Sequence, residues 1–167
     1  RISQFLAALN SGRSGTNPVG RYGIVDNVTS RLLDLVNTRY YLTVKRDENN
    51  NPNYFEPKRF GVVFEDKSVA VLESRSVLPR AFMVYEWEVI KNDRRILDKL
   101  LDPLFPIDSK VILEDDISMN QFIKSGQVST KVEYLDYKEQ ENVIRVNTSQ
   151  DGLLFISDSW YPGWKAY

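Results

Sequence analysis

The chain has 167 residues and a formal net charge of −1, with 42% hydrophobic and 12% aromatic residues, which suffices for one domain or two small subdomains and argues against disorder. The absence of His and Cys excludes imidazole bases, Ser-His-Asp triads, thiol nucleophiles, zinc fingers, iron–sulfur clusters and disulfides. Because the sequence also lacks a dense basic patch and a run of about 18 or more apolar residues, we predict no nucleic-acid partner, no cofactor, no metal and no membrane-spanning segment.

Two helices are predicted near the N-terminus. The first spans Ile2–Leu9 and ends at the polar segment 10–12. Asp26 or Asn27 is suited to capping a second helix, which ends near Asn37. The apolar positions of that second helix recur at helical spacing, at Val28, Leu32, Leu35 and Val36.

A third helix is predicted from a cap at Asp93 to the prolines at positions 103 and 106. Its apolar stripe consists of Ile96, Leu97, Leu100, Leu101 and Leu104. Runs rich in β-formers predict strands at residues 40–45, 60–64, 69–72, 81–90, 111–113, 128–137, 143–147 and 153–157. The second and third of these strands flank a polar turn at residues 65–68, which predicts a β-hairpin.

These elements predict an α+β fold in two parts. Residues 1–106 form an α+β subdomain, with two to three helices on a sheet. Residues 107–167 hold short strands joined by polar turns, which is typical of an antiparallel, β-sandwich-like subdomain. Since residue 1 is Arg and the segment Trp164–Tyr167 runs out without a turn, we expect a piece of a larger protein whose last sheet is truncated at its C-terminal end.

One acidic cluster, Glu114-Asp115-Asp116, has ligand types suited to Ca²⁺ or Mg²⁺. The cluster directly follows a predicted strand, where carboxylates commonly mark a solvated turn. No further ligands follow at the spacing of an EF-hand loop. We therefore favour the solvated turn over a metal site.

The most unusual segment contains Trp160, Tyr161 and Trp164 around a Pro-Gly pair that is suited to a type II turn. Large aromatic side chains stack on sugar rings or lie at a membrane interface, but they also pack strands into a core, and residue types alone favour the core. Arg80 is a further candidate binding residue, which faces either an anionic ligand or an acidic neighbour. We favour an ion pair, because the chain is rich in carboxylates that Arg pairs with bidentately.

Three segments together resemble the bacterial membrane protein YfhO family. They read LDLVNTRYYL at Leu33–Leu42, VLPRAFMV at Val77–Val84 and LLFISDSWYPGWKA at Leu153–Ala166. The segments occur in the order found in that family and cover most of the chain from about residue 26 onward. Asp34 departs from the apolar pattern of the family, and Thr38 stands where Val is usual.

The resemblance implies a soluble extracytoplasmic domain of a larger bacterial protein with many transmembrane helices, similar to polyprenyl-phosphate-sugar-dependent glycosyltransferases of the cell envelope. The catalytic carboxylate of such enzymes lies among the transmembrane helices, so the resemblance places no catalytic residue in this chain. The implied partners are the membrane-embedded remainder of the same polypeptide and cell-envelope polysaccharide.

We therefore expect a non-catalytic domain that positions acceptor polymer or caps the membrane part. Two alternatives stay open. The chain is a carbohydrate-binding module that uses Trp160, Tyr161 and Trp164, or it is a pure scaffold or interaction domain.

Overall fold

The computed structural model describes residues 2–17, 25–53, 55–117, 128–159 and 162–167. These residues form helices and mostly antiparallel strands, so the α+β class is confirmed. The helices are α1 (Ile2–Ser11), α2 (Leu32–Leu35) and α3 (Asp93–Leu101). The strands are β1 (Tyr40–Val44), β2 (Phe60–Glu65), β3 (Val69–Ser74), β4 (Ala81–Val84), β5 (Glu86–Val89), β6 (Lys110–Leu113), β7 (Thr130–Tyr137), β8 (Asn142–Thr148) and β9 (Leu153–Ile156).

The chain divides into two compact units, Arg1–Leu78 and Pro79–Tyr167. The sequence predicts the boundary at a different position, between residues 106 and 107. Two pairings within the second unit join strands from either side of that position, because β4 pairs with β9 and β5 pairs with β6. The compact units thus follow long-range strand pairing, which the order of elements along the chain does not show.

The first unit contains an antiparallel sheet in the order β1-β3-β2. β2 and β3 form the predicted hairpin, and the Asp66 carboxylate stabilises its turn by accepting hydrogen bonds from the backbone N–H groups of Ser68 and Val69, both at 2.7 Å. β3 alternates between buried and half-buried side chains, as expected for a strand with one face toward a core. The buried inner face of the sheet is formed by Tyr41, Phe60, Ala70 and Leu72.

Of the two helices predicted in this unit, the first is confirmed as α1 and the second is shorter than expected. The predicted cap at Asp26 or Asn27 is wrong, since Arg31 is the residue at the cap position. The side-chain oxygen of Asn27 instead accepts hydrogen bonds from the backbone N–H and the hydroxyl of Thr29, at 3.2 and 2.7 Å. This local turn competes with helix, so α2 begins only at Leu32. Asn37 ends the helix as predicted, with a left-handed φ of 58°.

The single strand predicted over residues 81–90 is wrong, because the structure has two strands there. β4 pairs antiparallel with β9, whereas β5 pairs in parallel with β6. The change of partner occurs at Tyr85, which is buried and whose hydroxyl forms hydrogen bonds with Thr130 and Thr148. Apolar residues alternate without interruption along both strands, so the sequence pattern alone does not separate β4 from β5.

β5, α3 and β6 form a β-α-β unit, so β6 is an exception to the antiparallel pairing predicted for residues 107–167. Asn92 caps α3 by accepting a hydrogen bond from the backbone N–H of Arg95 at 3.0 Å, one residue before the predicted cap at Asp93. Leu104 was predicted to continue the apolar stripe, but it lies beyond the helix and is 87% exposed. The third predicted helix is therefore confirmed as α3, but it ends at Leu101 and does not include Leu104.

Candidate functional site

The pairing of β4 with β9 brings two of the three resemblance segments together. Phe82 lies opposite Phe155 in the antiparallel register, and their ring centroids are 4.9 Å apart. Beyond the strand ends, the backbone N–H of Ser157 donates a hydrogen bond to the carbonyl of Arg80 at 2.8 Å. This pairing fixes the side chain of Arg80 beside the residues that follow β9.

Arg80 lies at the centre of a polar and aromatic cluster. Its guanidinium Nη2 is 3.5 Å from Asp158 Oδ2, and both side chains are 36% exposed. The same nitrogen donates a hydrogen bond to the hydroxyl of Tyr137, and the guanidinium carbon lies 4.2 Å from the centre of that ring. The acidic neighbour that we favoured from the sequence is thus Asp158, although the pair is half-exposed rather than buried.

Tyr134 completes the cluster, which we call the Arg80 cluster (Arg80, Tyr134, Tyr137 and Asp158). The rings of Tyr134 and Tyr137 meet edge to face, with centroids 5.9 Å apart. Burial raises the pKa of the Tyr134 hydroxyl, and the nearby positive charge of Arg80 opposes that rise. The Tyr134 hydroxyl oxygen and Arg80 Nε are both buried and make no well-directed hydrogen bond within the described residues.

A β-bulge explains why the two tyrosines meet. Residues three apart on a regular strand point to opposite faces. The register of β7 against β8 shifts between Tyr134 and Asp136, so Leu135 is an extra residue that changes the facing of the side chains after it. The bulge therefore places Tyr137 on the side where Tyr134 and Arg80 lie.

A second contact holds the β7-β8 hairpin in place. The Tyr85 hydroxyl bonds to Thr130 of β7 and to Thr148 of β8, the latter at 3.0 Å. The ring of Tyr85 lies against Gly152, where an added methyl group would come within 2.7 Å of the ring and 2.9 Å of Met83. Gly152 is thus required for the close approach of the chain before β9 to β4, the strand that begins beside Arg80.

The structure describes only part of the predicted aromatic site. Trp160 and Tyr161 lie outside the described residues. Trp164 is half-buried, and Pro162 and Gly163 form an exposed turn. Of the residues predicted to bind a ligand, Arg80 alone therefore has a geometry that is described in detail.

The acidic cluster Glu114-Asp115-Asp116 is exposed and follows β6, which fits the solvated turn that we favoured. Within residues 2–17, 25–53, 55–117, 128–159 and 162–167, no three His, Cys, Asp or Glu side chains are grouped so that they could hold a metal ion.

One open concavity, with a volume of about 620 Å³, lies between β5 and α3. Its charged side chains are of both signs. Glu88 faces Lys99 and Lys110 at 3.9 and 4.0 Å, and the rim includes Arg95, Asp98 and Asp102. Because its lining carries charged groups of both signs, this concavity offers no preference for an anion or a cation.

Sequence reasoning missed three of the four members of the Arg80 cluster. Asp158 lies within the resemblance segment but was not singled out, and Tyr134 and Tyr137 read as ordinary strand residues. The side chains of a regular strand alternate every two residues, so the three-residue spacing of the two tyrosines is the one signal in the sequence that could have indicated this site.

Comparisons with known proteins find no family model, no curated protein and no solved structure that matches the chain. Among the residues that the structure describes, no helix is long and apolar enough to cross a membrane.

Proposed function

We propose that this chain is a non-catalytic extracytoplasmic domain of a larger bacterial membrane protein that resembles the YfhO family, and that it positions acceptor polymer or caps the membrane-embedded part. The parent protein would resemble glycosyltransferases that use polyprenyl-phosphate sugars. The partners proposed are the membrane-embedded remainder of the polypeptide and cell-envelope polysaccharide.

The observation that supports this proposal most is the pairing of β4 with β9. Two segments that resemble one family, separated by about 70 residues of sequence, are neighbours in one sheet and meet again at the Arg80–Asp158 ion pair. A chance likeness of short segments gives no reason for them to be in contact. The contact favours a shared structural origin for both segments.

Labelling of single cysteines in the parent protein tests the location, because this chain has no Cys of its own. Leu104→Cys places a thiol on a side chain that is 87% exposed, and Leu9→Cys places one at a site that is 0% exposed. With other cysteines of the parent replaced, a membrane-impermeant maleimide should label only Leu104→Cys on intact cells. Labelling that requires cell lysis would contradict the extracytoplasmic location.

The non-catalytic assignment has its own test. The isolated chain should show no turnover of a polyprenyl-phosphate sugar, whereas clear transfer to an acceptor would overturn it.

Carbohydrate binding is the second candidate function, and the Arg80 cluster favours it. Tyr137 is 54% exposed and lies beside a charged pair of which both members are partly accessible. An accessible ring beside hydrogen-bonding charged groups is a common arrangement for holding sugars. Titration with cell-envelope oligosaccharides should then give saturable binding that Tyr137→Ala abolishes and Leu104→Ala leaves unchanged.

The β-sandwich-like arrangement of the C-terminal strands is also a proposal. Contact between β4 and β7 supports it, because it packs the β4-β9 pair against the β7-β8 hairpin. Nuclear Overhauser contacts between the side chains of these two pairs would test it.

A further inference from the structure

The Arg80 cluster places a hydrogen-bond donor beside an acceptor, with no net charge. Arg80 Nη2 and Asp158 Oδ2 lie 3.5 Å apart, which is longer than a direct hydrogen bond normally is. The other oxygen of Asp158 accepts a hydrogen bond from the backbone N–H of Ser159 at 2.8 Å. This bond holds the carboxylate in place, so that one of its oxygens stays turned toward the guanidinium.

Asn142 adds an amide to the cluster. It lies opposite Tyr137 in the register of β7 against β8, and side chains directly opposite one another in a sheet are neighbours. Within the part of the chain that the structure describes, the buried side-chain oxygen of Asn142 has no hydrogen-bond partner, and neither does Arg80 Nε or the Tyr134 hydroxyl. A structural contact normally pairs such atoms, because an unpaired buried polar atom costs free energy. The unused capacity favours a site that receives a further polar group.

Tyr137 supplies the apolar surface that a sugar ring needs. The Arg80 guanidinium stacks over this ring, with its carbon 4.2 Å from the ring centre, yet 54% of Tyr137 remains exposed. The side chains of Arg80 and Asp158 are also partly exposed. A bound sugar can therefore contact the tyrosine ring while its hydroxyl groups reach both charged side chains.

The pairing of donor and acceptor determines which sugars fit. A hydroxyl group can accept a hydrogen bond from Arg80 Nη2 and donate one to Asp158 Oδ2 at the same time, whereas an ionised carboxylate can only accept. An anionic group beside Arg80 would also face the Asp158 carboxylate at close range, which is repulsive. A cationic amino sugar would face the guanidinium in the same way. The two charges together thus select against charged sugars.

We propose that the Arg80 cluster, together with Asn142, binds an uncharged sugar residue, and that the Arg80–Asp158 pair disfavours uronic acids at this position. Tyr137 contacts the sugar ring. One hydroxyl of the sugar accepts a hydrogen bond from Arg80 and donates one to Asp158. This inference rests on carbohydrate binding, the second candidate function, and adds the chemical class of the ligand.

Magnetic resonance titration of the isotope-labelled chain tests the proposal with matched pairs of ligands. The probes are the methyl glycosides of glucose, galactose and mannose, each beside the methyl glycoside of its uronic acid, which carries a carboxylate in place of the hydroxymethyl group. In at least one pair the neutral sugar should bind with a Kd on the order of 1 mM, and its uronic acid should bind more weakly. Tyr137→Ala should abolish this binding.

Asp158→Asn tests the selectivity directly, because it keeps the shape of the side chain and removes its charge. The Arg80 charge is then unmatched, so the affinity for the uronic acid relative to the neutral sugar should rise by about two- to fivefold. Glu65→Gln is the matched control, since it makes the same change of charge at an exposed side chain of the other compact unit. The control should leave the ratio unchanged.

The amide spectrum of each variant first establishes that it is folded; if Asp158→Asn is not, Asp158→Ser replaces it. Tighter binding of a uronic acid than of its neutral partner, or a ratio that Asp158→Asn leaves unchanged, would overturn the inference while carbohydrate binding stands. Neutral-sugar binding that survives Tyr137→Ala would also overturn it. Absence of binding by every probe up to about 50 mM would overturn the inference alone if cell-envelope oligosaccharides bind, and the carbohydrate function as well if they do not.

Discussion

The Asp34 carboxylate accepts two hydrogen bonds from the Arg59 guanidinium, at 3.1 Å from Nη1 and 3.2 Å from Nη2. Only 6% of the Asp34 side chain and 15% of the Arg59 side chain are exposed. Ser74 donates to the same carboxylate, and Arg59 also donates to the backbone carbonyl of Ser30 at 3.1 Å. The pair thereby links α2 to the start of β2 and the end of β3.

Removal of one partner of this pair should destabilise the chain strongly. We expect Asp34→Ala to lower the free energy of unfolding by about 3 kcal/mol, because it leaves the buried Arg59 charge without its partner. Glu65→Gln, which breaks the exposed pair with Lys45, should cost less than about 1 kcal/mol. Urea unfolding of each variant measures the difference.

A double substitution separates loss of the pair from loss of packing. Asp34→Leu combined with Arg59→Met should recover most of the lost stability, since an apolar pair leaves no uncompensated charge. If the double variant is less stable than Asp34→Ala, the stabilisation comes from the surrounding serines and backbone rather than from the ion pair.

This pair shows where sequence reasoning succeeded and where it stopped. Asp34 stood out as a departure from an apolar pattern, but nothing in that pattern indicated a partner 25 residues away. The spacing of apolar residues and the residue types found in turns predicted α1, the β2-β3 hairpin and the end of α2 at Asn37. They could not predict pairing, so the parallel β5-β6 contact and the change of partner at Tyr85 were missed.

A substitution at Gly152 should disturb the packing beside the Arg80 cluster. We expect Gly152→Ala to cost about 2 kcal/mol, because the added methyl group would meet the Tyr85 ring, which its two hydroxyl hydrogen bonds hold in place. Gly61→Ala is the control, since its methyl group would lie 3.2 Å from the end of the flexible Arg75 side chain. Thermal unfolding of both variants tests this, and equal effects would show that the Tyr85 ring yields.

Part of the Arg80 cluster could be predicted from the sequence. Arg80 was singled out, and a carboxylate partner was favoured for it. The tyrosines were not, because a bulge decides which side of β7 each ring lies on, and a bulge depends on the register against β8 rather than on the residues of β7 alone.

Acid should weaken the turn of the β2-β3 hairpin. Hydrogen bonds from the backbone N–H groups of Val69 and Ser68 lower the pKa of Asp66 from its ordinary value of 3.8. A carboxyl group with a lowered folded pKa contributes stability above the unfolded value and loses it as pH falls through the folded pKa. The stability of the chain should therefore fall less between about pH 6 and pH 3 in Asp66→Asn than in the parent chain.

Urea unfolding at the two pH values measures this effect, because urea does not add ionic strength. Glu139→Gln, in the exposed turn between β7 and β8, is the matched control and should retain the parent pH dependence. An Asp66→Asn chain with the same acid sensitivity as the parent would contradict the role of the Asp66 charge.

Alkaline conditions should destabilise both compact units through one tyrosine in each, the buried Tyr41 and the half-buried Tyr134. Burial raises the pKa of Tyr41 and of Tyr134 above the ordinary value of 10.0, and Arg59 and Arg80 respectively oppose the rise. As the pH rises, the two tyrosine hydroxyls therefore lose their protons at a lower pH in the unfolded chain than in the folded chain. The contribution of each hydroxyl to stability is complete below about pH 10 and is lost as pH rises through the folded pKa.

Two phenylalanine variants separate this titration from hydrogen bonding. Tyr41 donates a hydrogen bond to the carbonyl of Thr38 at 3.3 Å, so Tyr41→Phe should cost about 1 kcal/mol at neutral pH. Within the part of the chain that the structure describes, the Tyr134 hydroxyl makes no well-directed hydrogen bond, so Tyr134→Phe should be nearly neutral there. Both variants should reduce the loss of stability between roughly pH 9 and pH 11. A slope in either variant equal to that of the parent chain would mean that the hydroxyl concerned is hydrated in the folded state, contrary to the burial that raises its pKa.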